Sequence, residues 1–500
     1  MANKLYVTSR DDWTQEKLKL AWEEIQTIAS EELELNEGEG YYPNQFEIVS
    51  SEQMIDAYAS IGMPIMYNHW SFGKDFLRTQ KSYAAGRQGL ALEMVINSNP
   101  TINYLMEENS LVDQIMVLAH AGIGHNAVFK NNDCFKQWTN ASSIVDYMVF
   151  ARNFIAQCEQ KYGMEEVELI LDAAHALAPH GVDKFKRKHT PKMSEEARLQ
   201  KMIEKDNQDQ RELDIVLKRT KINNEEIEEE VDYDEDKGNE ENLLYYIMKK
   251  SPNLDKWKRE LIRIVYKVHQ YWYPQSQTKN LNEGFASFTH YYIMTRLEEK
   301  GILSPDAYLA FLNSHSGVIF QPEYSKKYYS GLNPYTLGFN ILMDVKRICE
   351  NPTQEDKEWF PNLIGKRWID AIKEATFEHR DDSFVMQYLS PKVIRDMKLF
   401  SVNVTEDKKG RKAIVSDIHD EVGYRQVRTN LARSFERVNR VPQIRVLGSD
   451  LEGDRTLYLE YVPYRGRRLD HESAELVAEY VDYLWGYNVV IEDDHEDKTK

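Results

Sequence analysis

Between Glu225 and Glu241 the chain carries eleven acidic residues and one lysine. Like charge at that density cannot enter a core, so whatever folds must fold before it and after it. Ser194 to Lys221 is also heavily charged, and the two stretches together predict a linker over residues 191–241. A helical domain at 1–190 is expected on one side, and a second part of the helical body at 242–397 on the other. From residue 398 the texture shifts to short alternating runs such as Gln443 to Leu447 and Thr456 to Val462. A small α+β domain is therefore expected at 398–492, with 493–500 as a disordered tail. The fold class read from this pattern is a mainly α, multi-helical N-terminal body with a smaller C-terminal α+β domain.

Five hundred residues, 42% of them hydrophobic, suffice for more than one core. The 82 acidic residues outnumber the 63 basic ones, for a formal net charge of −19. That balance opposes a non-specific grip on nucleic acid or on an anionic membrane surface. Cys134, Cys158 and Cys349 are too few and too scattered for a disulfide framework or a cysteine zinc site, which fits a reducing compartment. Met1 to Tyr6 lacks the apolar stretch of a secretory signal, and no run of eighteen apolar residues occurs. A cytoplasmic protein is expected, with no membrane insertion and no nucleic-acid partner.

Chemistry concentrates on three helical stretches. In Leu281-Asn-Glu-Gly-Phe-Ala-Ser-Phe288 and the following Thr289-His290, Glu283 and His290 stand seven residues apart and share one helix face. Gly284, Ala286 and Ser287 lie between them and allow another element or an ion to come close. Glu283 and His290 suit a divalent metal, or else a local cap and a hydrogen-bonded core histidine. A helix expected from Ser110 to about Phe129 carries His120-Ala-Gly-Ile-Gly-His125. Residues five apart point about 140° away from each other on an ideal helix. Gly122 and Gly124 permit a kink or π-bulge that would bring the two rings together. Metal ligation and a structural role both fit this pair. The third stretch places Glu168, Asp172 and His175 at i, i+4 and i+7 in an apolar helix, either a site or a solvated face holding one histidine.

Further motifs join these: Gly62-Met-Pro with His69-Trp-Ser-Phe-Gly-Lys74, Val95-Ile-Asn-Ser-Asn-Pro100, and Tyr104-Leu-Met-Glu-Glu-Asn109. With them come Gly181-Val-Asp183, Asn333-Pro-Tyr335 and Leu389-Ser-Pro-Lys392. Together with the His120, His125, His175 and Glu283 motifs, they resemble the SpoVR family, named for a stage V sporulation protein, over nearly the whole chain. Where that family carries a Glu-Glu-basic-His-Gly segment, this chain reads Glu159-Gln-Lys-Tyr162-Gly163, so no histidine acts there. The resemblance implies a link to spore-cortex formation in spore formers. Elsewhere it implies work in stress physiology with protein partners of a serine protein kinase system. It brings no settled reaction.

Two functional readings follow. Leu281-Asn-Glu283-Gly-Phe-Ala-Ser also looks like the second zinc motif of gluzincin aminopeptidases, where the glutamate binds the metal. On that reading the chain is a metal-dependent amide hydrolase acting on a peptide or a peptidoglycan precursor. Its metal ligands are drawn from His120, His125, His175, Glu283 and His290, and its general base is Glu108 or Asp172. The cofactor is a divalent metal, zinc first, then manganese or iron. The alternative is a non-catalytic regulatory or scaffold protein whose helical body holds a structural metal or a polar network.

Overall fold

The computed structural model describes residues 5–60, 63, 65–84, 92–184, 242–322, 331–400, 402–407, 410–415, 418–436, 443–462 and 470–492. The expected linker at 191–241 and tail at 493–500 lie outside these residues. The described chain is mainly helical, and its C-terminal part carries strands and helices.

Contacts divide the chain into two units, each assembled from three separate stretches. Unit one comprises Met1–Pro64, Trp70–Ser142 and Tyr271–Val441; unit two comprises Ile65–His69, Ser143–Gln270 and Pro442–Lys500. The expected 398–492 domain is therefore split. Its first hairpin and the helix Glu421–Phe435 belong to unit one, while its last sheet and the helix His471–Trp485 belong to unit two. The change of texture at residue 398 reports a change of secondary structure. Which core a strand or helix joins is decided by its buried face, and Ala432 of Glu421–Phe435 is buried in the core of unit one.

In unit one, strands β1 (Asn44–Val49), β2 (Glu93–Ile96) and β3 (Thr101–Met106) form a sheet in the order β1-β3-β2. Strand β3 lies in the middle, parallel to β1 and antiparallel to β2, with Glu93 opposite Leu105. Thr101, Asn103 and Leu105 alternate inward along it, as a strand with one buried face requires. Against this sheet lies a helix that changes pitch: α-helical over Leu111–Val117, π-helical over Leu118–His125, and α-helical again over Asn126–Asn131. Asn44 of β1 donates to the Gly122 carbonyl at 3.0 Å, holding one of the carbonyls of the π segment. Asn126 in turn bonds the Asn44 side chain at 3.0 Å and the Tyr42 carbonyl at 2.7 Å.

The helix Lys279–Glu299 runs through the middle of unit one and is buried on nearly every face, which explains its low amphipathicity. Its small residues make that depth possible. A side chain at Gly124 would place its first carbon 2.6 Å from the Ala286 backbone, and Gly284 and Gly338 meet backbone to backbone. At its start, the buried Asp381 carboxylate accepts from the backbone N–H groups of Asn280 (3.0 Å) and Leu281 (2.9 Å). The helix N-terminus thus has its free donors satisfied by an anion.

Unit two contains the helices Ile144–Tyr162, Met164–Leu177 and Leu243–Lys250, followed after residue 442 by a second sheet. Numbering the hairpin strands Val402–Asp407 and Gly410–Val415 as β4 and β5, this sheet is built from β6 (Gln443–Ser449), β7 (Leu457–Val462) and β8 (Val489–Glu492). Strand β7 lies in the middle, antiparallel to β6 and parallel to β8. Trp485 is fully buried beneath it and donates its indole N–H to the Arg455 carbonyl at 2.6 Å. Among the described residues, no helix is long and apolar enough to cross a membrane.

Candidate metal centre

The π segment resolves the spacing problem of His120 and His125. An i→i+5 helix brings residues five apart back toward one face, and the two rings lie edge to face with centroids 4.6 Å apart. Both are buried, at 4% and 8% exposure. Gly124 lets the segment press onto Ala286 of the buried helix, which brings Glu283 of that helix up to the two rings. The Glu283 carboxylate oxygen Oε2 lies 3.5 Å from His125 Nε2 and 3.9 Å from His120 Nε2. From the sheet, Glu93 at the start of β2 brings Oε1 to 3.5 Å from His120 Nε2. Glu93, His120 and His125 have ligand atoms all within 4.8 Å of one another, the spacing of a metal-binding group.

Proton positions can be argued from the partners behind the rings. His125 Nδ1 lies 2.9 Å from the Asn282 side-chain oxygen. That oxygen only accepts, so Nδ1 carries the proton and Nε2 presents a lone pair. His120 Nδ1 lies 2.9 Å from His290 Nδ1. Because His120 Nε2 has no hydrogen-bond partner, a proton there would go unmatched, so the ring's proton sits on Nδ1, which donates to His290 Nδ1. Glu283 Oε2 is likewise buried without a partner. Two imidazole lone pairs and two glutamate side chains thus converge, and neither His120 Nε2 nor Glu283 Oε2 has a hydrogen-bond donor. Such an arrangement is costly for a buried polar group unless a cation lies between them, and mixed nitrogen and oxygen ligands of this kind suit a divalent metal.

The electrostatics agree. Burial, reinforced by the Glu283 charge, pushes the Glu93 carboxyl up to about 8. Burial, with the neighbouring imidazoles adding to it, lowers His120 and His290 well below the ordinary histidine value. Burial alone takes His315 down to about 4. Tyr335 stacks over His120 at 6.2 Å. Burial, with the Glu283 and Glu93 charges adding to it, pushes its phenol upward, so it stays protonated.

Of the residues singled out in the sequence, His120, His125 and Glu283 come together. His290 takes a position behind them, since its two nitrogens face His120 Nδ1 and, at 2.7 Å, His315 Nδ1. His175 and Asp172 belong to unit two and have other neighbours. His175 Nε2 lies 2.8 Å from the Tyr67 hydroxyl, and Asp172 Oδ1 lies 2.9 Å from His69 Nε2. The His69 and His269 rings lie 4.7 and 5.7 Å from that of His175. Burial first, then His269 and His69, takes His175 down to about 3. From the sequence these helices were expected to share one site with Glu283; helical spacing aligns residues along one helix but does not say which core the helix faces, and Asp172 and His175 fall in unit two while Glu283 falls in unit one. Glu108 was the other candidate base. It is exposed at the turn after β3, where Asn109 turns inward to the Leu92 carbonyl and Ser110 caps the next helix. Sequence reasoning missed Glu93, Asn282, His315 and Tyr335. Glu93 was legible as a carboxylate in an otherwise apolar strand, and Asn282 and Tyr335 lie inside motifs already noted. His315 gave no signal.

The comparisons agree with this architecture. The family described as "SpoVR like protein" matches residues 12–440, and "SpoVR-like C-terminal domain" matches residues 442–496. The two matches meet where the chain passes from unit one to unit two. An Escherichia coli (strain K12) protein named "Uncharacterized protein YcgB" is 46% identical over 490 residues, covering 97% of this chain and 93% of that protein. No solved structure matches. With both profiles matched end to end around the convergent histidines and glutamates, the chain belongs to the SpoVR family.

Proposed function

We propose that the chain is a metal-dependent hydrolase of amide bonds, working on a peptide or peptidoglycan-type substrate, with His120, His125 and Glu283 holding a divalent metal. The observation that carries this reading is the meeting of buried acceptor atoms, His120 Nε2 and Glu283 Oε2 among them, with no donor to satisfy them. A bound divalent ion would polarise the substrate carbonyl and lower the proton affinity of water. Glu93, whose carboxyl is protonated unusually easily for its type, then serves as the group that takes up and returns a proton. Tyr335, a phenol kept neutral by burial, offers a hydrogen-bond donor beside Glu283. Asn282 keeps His125 in the tautomer that presents its Nε2 lone pair.

One observation favours a second reading. Glu93, His120, His125 and Glu283 are four protein donors in a buried place, and four protein ligands make a closed, structural site. On this reading the protein is a regulatory or scaffold member of a serine protein kinase system. Glu93→Gln separates the two. Metal retained near one equivalent, with loss of a hydrolytic activity found in wild type, supports the hydrolase. Metal lost together with Glu93 supports the closed structural site. A wild type that binds no zinc, manganese or iron by elemental analysis after reconstitution rules out both metal readings.

A further inference from the structure

Behind His120 three imidazoles are joined in a row, and the row has a direction. His120 Nδ1 lies 2.9 Å from His290 Nδ1, and His290 Nε2 lies 2.7 Å from His315 Nδ1. All three residues are buried, at 4%, 1% and 4% exposure. Each comes from a different element: the π segment, the buried helix Lys279–Glu299 and the helix Pro305–Val318. A neutral imidazole has one donor and one acceptor nitrogen, so fixing the proton on one ring fixes it on every ring in the row. With His120 Nδ1 donating, His290 Nδ1 must accept and His290 Nε2 must donate to His315 Nδ1. The reverse order would put the proton on His120 Nε2. There it would face Glu93 at 3.5 Å and Glu283 at 3.9 Å, both too long for a good hydrogen bond.

The geometry points to His290 and His315 as positioning residues: a string of imidazoles that holds His120 as the Nδ1–H tautomer, so that its Nε2 lone pair faces the Glu93–His125–Glu283 cluster and a divalent cation there. This rests on the metal reading above and adds to it the residues that orient a ligand from behind. His315 is the far anchor. Its ring lies edge to face with His290 at 5.0 Å and with Phe339 at 4.9 Å, which restrains the orientation in which Nδ1 meets His290. Partners of this kind fix ring orientation and raise ligand basicity, and their loss weakens metal binding about 10–100-fold.

The test is a titration of the metal-free, full-length protein with cobalt(II), reading both affinity and visible absorption, for wild type, His290→Leu, His290→Asn and His315→Leu. The asparagine side-chain oxygen can accept where His290 Nδ1 did, without the link onward to His315. The expected result is a loss of about 10–100-fold in His290→Leu, with an altered cobalt spectrum. Most of that loss is regained in His290→Asn, and His315→Leu loses less than His290→Leu. A His290→Leu protein that melts like metal-free wild type yet binds cobalt with unchanged affinity and spectrum overturns the string while leaving the metal site standing. Equal losses in His290→Leu and His290→Asn also overturn it, because packing alone would then explain the effect. Should His290→Leu fail to fold, an unchanged affinity in His315→Leu overturns it. A wild type that binds no cobalt overturns the string and the metal reading together.

Discussion

Each unit buries histidines beside a carboxylate, and the two groups use their hydrogen-bonding capacity in opposite ways. In unit two, His175 meets the Tyr67 hydroxyl and His69 meets Asp172, so ring nitrogens are matched by groups of complementary character. In unit one, the outer nitrogens of His120 and His125 are matched from behind, and their inner nitrogens face two glutamates. Histidines beside acids are therefore a poor guide to a metal centre taken alone. The informative feature is a set of acceptors left facing one another after every nearby donor has been assigned.

The comparison breaks most sharply at the ligands. His125→Ala or Glu283→Ala is expected to take bound zinc or cobalt from near one equivalent to almost none, a loss beyond the roughly 100-fold seen for outer partners. His175→Ala should leave metal content unchanged, by elemental analysis of the same preparations. Metal lost in His175→Ala would return that residue to the centre. Next in size is Gly124→Val. A first side-chain carbon only 2.6 Å from Ala286 forces the π segment off the buried helix, costing about 3 kcal/mol in urea unfolding and weakening metal binding as well. Asn282→Leu, which removes the acceptor behind His125, should weaken cobalt binding about 10–100-fold with little change in the melting of the metal-free protein. His175→Leu should do the reverse. It leaves the buried Tyr67 hydroxyl without that partner, costs about 1–3 kcal/mol of stability, and spares metal binding.

A further effect expected is one of pH. The Glu93 carboxyl, raised from 4.5 to about 8, binds its proton more tightly in the metal-free fold than in the unfolded chain. Its contribution to stability is therefore full below about pH 4.5 and is lost as pH rises through about 8. Cation binding runs the other way. It must displace that proton, so apparent cobalt affinity should climb by up to about tenfold per pH unit toward pH 8 and then level off. Glu93→Gln should abolish both slopes, and a cobalt affinity independent of pH in wild type would remove Glu93 from the cation's neighbourhood.

Much of this was legible in the residues. The five-residue spacing of His120 and His125 with two glycines pointed to a π distortion that the Leu118–His125 segment displays. The small residues around Glu283 predicted close approach, and Gly124 and Gly338 make it. What stayed hidden has one cause. Periodicity reports which residues of one element face the same way, whereas a site depends on which elements face each other. Asp172 and His175 do lie on one face, but of a helix in unit two. Glu93 contributes from a strand paired in register with β3, and His315 from a helix whose sequence marks it in no way.

The interleaving of the units bears on how the chain reaches this state. Unit one needs Glu93, His120 and His125 from its second stretch and Glu283 from its third, and the whole of Ser143–Gln270 is made between them. On a ribosome, the two histidines wait exposed while more than a hundred further residues emerge, and unit two in its turn waits for the strands after Pro442. Contacts of such long sequence separation form late and slowly, and partly finished chains expose surface that invites aggregation. A cation held by His120, His125 and Glu283 would therefore be acquired at the end of folding. Its presence would mark a chain whose third stretch has been laid in place.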